Sequence, residues 1–324
     1  MAFRFKLGEP FDEGCRRISV EQIDRARAIL RGNGDEAAAV HETRKSLKRL
    51  RALLRLIRPS IGEETFKAEN HELRDVGLSL SGARDRHVLG ETLDKLLSAS
   101  NLSPKSAEAL RKRLGPPDGH GTPLAMDAAH ERLAAARERL GALPIGGSDF
   151  DIVGRGLERS YRRARRAFAD AYRTPSDEAF HEWRKGAQAH WRQMLLLSRA
   201  WPDYLGARAA EARTLSQILG DDHDLALLVE FARSQPGAVS EQAEQVEAAA
   251  RARQGELRQM ARPRGERLFA ASPKRLRRSV ETFWQSAEAL KDVEPHGTET
   301  EASGPARRVR QGGRRQRSDV AAKT

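Results

Sequence analysis

Cysteine is almost absent, with Cys15 alone in 324 residues. That excludes a disulfide scaffold and a Cys-rich zinc site and makes a reducing, cytosolic compartment the expected setting. Aromatic residues make up only 5% of the chain, and runs rich in Val, Ile, Thr and Tyr are hard to find, so strands have little to build from. No apolar run approaches the ~20 residues of a bilayer span, and residues 1–10 lack the apolar segment of a secretory signal. No membrane partner is therefore expected. Carboxylates fall behind cations, 46 Asp+Glu against 58 Lys+Arg, which leaves a net charge of +12 beside 39% hydrophobic residues. The hydrophobic share excludes full disorder, and the length suits two domains or one doubled domain.

Helical periodicity dominates what remains. It predicts helices over about 19–31, 35–58, 63–80, 85–97, 126–140 and 150–172, then over about 176–199, 204–219, 222–233, 240–261 and 273–290. Gly/Pro-rich stretches over 115–123 and 144–148 read as connections near the middle of the chain. From about residue 292 the chain turns polar, Gly-rich and Arg-rich, the composition of a disordered basic tail.

An internal repeat organises these helices. His41-Glu42-Thr43-Arg44-Lys45 returns as His181-Glu182-Trp183-Arg184-Lys185, 140 residues later. Downstream, Leu80-Ser81-Gly82-Ala83-Arg84-Asp85 is echoed by Leu219-Gly220-Asp221-Asp222-His223-Asp224 at an offset of 139. Two separated matches at nearly one offset point to a duplicated helical unit. The halves are expected over 1–141 and 142–291, followed by the tail over 292–324.

On a helical wheel with His41 at zero, Arg44, Lys45, Lys48, Arg51 and Arg55 fall between about −80° and +40°, one continuous cationic stripe. Leu47, Leu50, Leu53, Leu54 and Ile57 lie opposite. Glu42, at about +100°, is expected to leave the stripe unneutralised, and like charges at such spacing disfavour an isolated helix. The arrangement therefore suggests an anionic partner. The second copy keeps His181, Arg184 and Lys185 and adds Arg192 and Arg199, but Gln188 stands where Lys48 stood and Trp191 where Arg51 stood. Its stripe should be the thinner one, and His190 falls among apolar neighbours as a core histidine. The second repeated element is expected where one helix ends and the next begins, with Asp85 and Asp224 as capping acids and Arg84 and His223 beside helix N-termini. Arg74 and Arg213 also correspond across the repeat.

These paired H-x-x-R-K helices, each followed by an L-x-x-x-[RH]-D element, resemble the CHAD domain, the conserved histidine α-helical domain that binds inorganic polyphosphate. The resemblance covers residues 16–290. It implies an all-α fold of two tandem, internally repeated four-helix bundles around a basic central cavity or groove, in a cytoplasmic protein associated with polyphosphate granules. Carried over by matching position, His41, Arg44, Lys45, Lys48, Arg51, Arg84, His181, Arg184, Lys185, Arg192 and His223 become the anion contacts. Arg55, Arg74 and Arg213 join them from the stripe and the repeat.

No enzyme activity, metal or cofactor is expected. The chain has no E-x-E-x-K strand motif of the triphosphatases joined to some CHAD domains, no G-x-x-x-x-G-K-[ST] phosphate loop and no H-E-x-x-H helix. A metal-dependent phosphohydrolase built on His223, Asp224 and His41 or His71 is a rival, but neighbouring Arg and Lys would repel a divalent cation. A second rival is a nucleic-acid-binding helical protein. Phe180, Trp183 and Phe283 read as core, which leaves few rings to stack on bases, although the Arg-rich tail is suited to weak nucleic-acid binding. Unperturbed histidines would charge near pH ~6.5, so affinity for an anion should rise between pH 8 and pH 6 through His41 and His181.

Overall fold

A computed structural model describes residues 3–32, 35–80, 84–115, 123–235 and 241–293. The tail over 294–324 and parts of several connections lie outside those residues. Among the described residues the chain is all helix: α1 (Phe11–Leu30), α2 (Glu36–Ile61), α3 (Glu63–Ser79), α4 (Arg84–Ala99), α5 (Pro104–Leu114) and α6 (Pro123–Gly141) in the first half. The second half holds α7 (Asp151–Arg173), α8 (Asp177–Leu196), a 3₁₀ turn (Ser198–Ala200), α9 (Pro202–Ser234), α10 (Glu241–Leu268) and α11 (Pro273–Val293).

The two stripe-bearing helices begin at side-chain caps, as their sequences dictate. Asp35 accepts from the backbone N–H groups of Ala37 and Ala38 at 3.3 and 3.0 Å, and Ser176 accepts from that of Ala179 at 3.1 Å. Gly62, at φ +80°, ends α2 in a conformation that only glycine adopts without strain. On α2, Leu47, Leu50, Leu53, Leu54 and Ile57 are all buried, so the apolar face opposite the stripe is its core face. Each such side chain contributes about 1.5–3 kcal/mol of burial free energy.

Helix α1 packs on α2 and α6, and α3 closes the ring by packing on the same two helices. In the second half α7, α8, α9 and α10 pack in succession, with α11 on α7. Two contacts join the halves through α2, which lies against both α7 and α8. Helices α4 and α5, although they precede residue 141, pack on α9 and α10.

The α2–α7 crossing is unusually close. A Cβ added at Gly156 would lie 1.6 Å from the Leu56 carbonyl oxygen. Gly156→Ala must force the two helices apart, at a cost of about 1–3 kcal/mol or more, which the denaturant midpoint reads directly.

Two sequence expectations change. Helix α5 falls in a stretch the periodicity left unassigned. Helix α9 runs unbroken through 204–233, where two helices were expected, because Leu219, Leu225 and Leu228 are buried on both sides of Gly220. That burial outweighs the ~1 kcal/mol that a mid-helix glycine costs.

Candidate functional site

A cleft of about 560 Å³ opens where α2, α4, α8 and α9 meet. Arg44 and Lys48 reach it from the first half, Arg184, Gln188 and His223 from the second, so residues matched across the repeat face one another. Val88 and Leu89 of α4 form an apolar wall, and Asp224 and Glu230 stand on the α9 side. Arg44 and Lys48 also line a groove of about 90 Å³ between α2 and α3, together with Arg51 and Arg74. The cationic face of α2 is thus continuous from the cleft into the groove. Arg44 Nη1 donates to the Gly77 carbonyl at 3.3 Å, and Arg51 Nε to Asn70 Oδ1 at 3.0 Å, contacts that aim these guanidinium groups.

Inward of the cleft lies a cluster of guanidinium groups that share one electrostatic neighbourhood. Arg192 is buried at 8% exposure. Its pKa is pushed down to about 9, first by burial and then by Arg49, Arg55 and Arg184. Arg55 is pushed down to about 10 by burial and by Arg51, Arg163 and Arg58, with Glu182 working against them. Burial lowers Arg184 as well, opposed by Asp224 and Asp221. An Arg side chain stays protonated at neutral pH, so these shifts measure a cost carried by the charged state. The buried Nε atoms of Arg184 and Arg192 have no hydrogen-bond partner among the described residues. Arg192 instead holds its charge over the Trp191 ring, 4.2 Å from the centroid, and donates Nη1 to the Gln188 carbonyl at 2.9 Å. The half with the thinner stripe therefore supplies the most deeply buried cation.

The histidines sit differently from the sequence expectation. His181 and His223 pack ring on ring, with centroids 4.1 Å apart. His223 is pushed down to about 4 by burial, then by Arg184, His181 and Lys185, with Asp177 opposing. Burial lowers His181 too, followed by Lys185 and Arg184. Both rings therefore favour the neutral form, and protonation of His181 moves to lower pH than an unperturbed imidazole would give. The sign for folding follows. For His223 the unfolded chain takes up the proton near pH ~6.5 and the folded chain only near pH 4, so stability falls as pH drops between those values. His223→Gln should flatten that fall in a urea-midpoint series from pH 7 to pH 4.

The remaining expected contacts divide by position. Lys45 is exposed and donates to Glu42 at 2.6 Å, and Lys185 pairs with Glu182 in the same i,i+3 way. The stripe is thus partly neutralised along its rim, because a lysine spans the azimuthal gap that the wheel placed between it and the acid. His41 is exposed on that rim, and Arg74 pairs with Asp75 at 2.9 Å. Arg213 is exposed on α9 away from the cleft lining. Arg84 opens α4, but its side chain lies outside the described residues. Arg199 falls in the 3₁₀ turn, beyond the end of α8.

His223 and Asp224 stand within α9 and not beside a helix start. The structural acid of that element is Asp222, which is buried, receives Arg258 Nε at 2.7 Å and fixes α10 against α9. His190 is a buried core residue that accepts from Arg208 Nε at 3.0 Å. Arg49 and Arg163 belong to the cationic neighbourhood but had no signal on the wheel, since contacts between helices brought them there. Among the described residues no three His, Cys, Asp or Glu side chains converge as metal ligands, and no helix is long and apolar enough to cross a membrane.

Residues 18–233 match the sequence profile of the CHAD domain. Among solved structures, PptA from Streptomyces chartreusis is similar at a TM-score of 0.52 and 16% identity, over 80% of this chain and 98% of that one. At that identity the likeness shows the fold alone. No curated protein sequence matches the chain.

Proposed function

The chain belongs to the CHAD-domain family, and from that membership we propose that it binds inorganic polyphosphate in the cleft between its two halves, without turning it over. The observation that carries this reading is the cluster of half-buried Arg49, Arg55 and Arg184 around the buried Arg192, in which the Nε atoms of Arg184 and Arg192 have no hydrogen-bond partner among the described residues. A dense line of phosphate charges relieves that repulsion and supplies the missing acceptors. Arg–phosphate bonds of this kind contribute on the order of 1.5–3 kcal/mol each.

The chain path runs past Arg44 and Lys48 toward Arg51 and Arg74 on one side, and past Arg184 toward His223 on the other. His41, Lys45, Lys185 and Arg213 add long-range attraction from exposed positions, which salt screens. The domain halves over 1–141 and 142–291 contribute jointly. Association with polyphosphate granules is the cellular counterpart of this reading. Weak nucleic-acid binding is assigned to the basic tail over 292–324.

A calorimetric titration at fixed salt tests the reading, using a chain ending at Lys291, long-chain polyphosphate and single-stranded DNA of matched charge. Polyphosphate should bind more tightly, and the same samples with Mg²⁺ or Mn²⁺ should release no phosphate above the buffer blank. Equal affinities across a range of salt favour a nucleic-acid function, and sustained release abolished by His223→Ala favours a hydrolase.

A further inference from the structure

The outer surface of α7 carries Arg159, Arg162, Arg163, Arg165 and Arg166, all exposed. At about 100° per residue these five sweep around the helix in the order Arg163, Arg159, Arg166, Arg162, Arg165, an arc of roughly 160°. One end of the arc adjoins the cationic cluster already described. Arg163 pairs with Glu182 at 2.7 Å and acts on the charge of Arg55. The other end is pinned where Arg165 Nε donates to the Phe269 carbonyl at 3.1 Å.

There the arc opens into a groove of about 540 Å³, lined among others by Arg162, Arg165, Arg166, Phe168, Glu266 and Pro273, which shares no residue with the cleft. Lys274 and Arg275, exposed in the first turn of α11, follow Pro273 directly. Glu266 is engaged by Arg262 at 3.2 Å, and Glu158 by Arg162. Among the described residues no ion pair includes Arg165, Arg166, Lys274 or Arg275.

We propose that this face is a second phosphate-chain subsite, which holds the part of a long polyphosphate chain that leaves the cleft past Arg55 and Arg163. The inference rests on the polyphosphate reading of the cleft. Nucleic acid fits the groove less well, because Phe269 is 3% exposed and the half-buried Phe168 has its ring packed on Phe269 and Trp183. Occupying two subsites with one chain makes the second contact intramolecular, and affinity then grows with chain length beyond what the cleft provides.

Full-length protein titrated with tripolyphosphate, long-chain polyphosphate and single-stranded DNA tests this. The double variant R162E/R166E and, from a different helix, K274E/R275E should each lower long-chain affinity at least ~10-fold. Both should leave tripolyphosphate affinity within about twofold, which also shows that the cleft is folded. Unchanged long-chain affinity in both variants overturns the subsite, as does a loss confined to single-stranded DNA. R184E separates the two readings: intact tripolyphosphate binding in that variant sinks the cleft assignment, whereas the α7 variants report on the subsite.

Discussion

Arg184→Glu lowers polyphosphate affinity about 10- to 150-fold, the loss of one desolvated charge-assisted contact of about 1.5–3 kcal/mol, and repulsion by the new carboxylate adds to it. Arg184 lines the cleft, is half-buried, and has a buried Nε without a hydrogen-bond partner among the described residues. Lys45→Glu is the control. Its ammonium is exposed and already engaged by Glu42, and pairs of that kind are worth about 0–1 kcal/mol, so the change is a few-fold at most and fades in salt. Isothermal titration of the two variants reads the ranking. The wheel alone ranks the first half higher, because it counts cations per turn. Burial instead ranks the half-buried Arg184 above the exposed Lys45.

Arg192→Met separates binding from stability. In the ligand-free protein Arg192 holds a buried charge among Arg49, Arg55 and Arg184, and methionine keeps the volume and can still pack on Trp191. Removing the uncompensated charge should stabilise the fold by about 1–3 kcal/mol, a rise in Tm of several degrees, while polyphosphate affinity falls. Bound ligand acts in the opposite sense. Polyphosphate at 100 times its Kd should raise wild-type stability by about 2.7 kcal/mol, and the variant at the same concentration should gain less. A lower Tm for Arg192→Met with circular dichroism unchanged would mean that the protein already compensates the charge internally. Such opposed effects are expected where a site is kept charged for a ligand at the expense of the empty fold.

The features that survive from sequence to structure are those fixed by local periodicity. Leu47 to Ile57 on α2 and Asp35 and Ser176 at the helix starts were legible because caps and 3.6-residue spacing act within a few residues. The repeat identified Arg44 and Arg184 as equivalents, and the fold brings them to one cleft. Helix α5 carries its own signals, an N-cap at Ser103 followed by Pro104 and helical spacing of Ala107, Leu110 and Leu114, but the Gly/Pro-rich run after it masks them. The first copy breaks after α3, whereas its match in α9 stays helical because packing on α8 and α10 decides there. Arg49 and the His181–His223 stack were beyond reach, since both depend on which helices meet. The same is true of the depressed histidine pKa values, which arise from burial and from Arg184 and Lys185 together.

A crystal structure with bound tripolyphosphate tests most directly whether both halves grip one phosphate chain. Phosphate density is expected between Arg44 and Lys48 on one side and Arg184 on the other, with at least one oxygen within hydrogen-bond distance of an Arg184 nitrogen. Density confined to the exposed lysines Lys45 and Lys185, with the cleft empty, would contradict it.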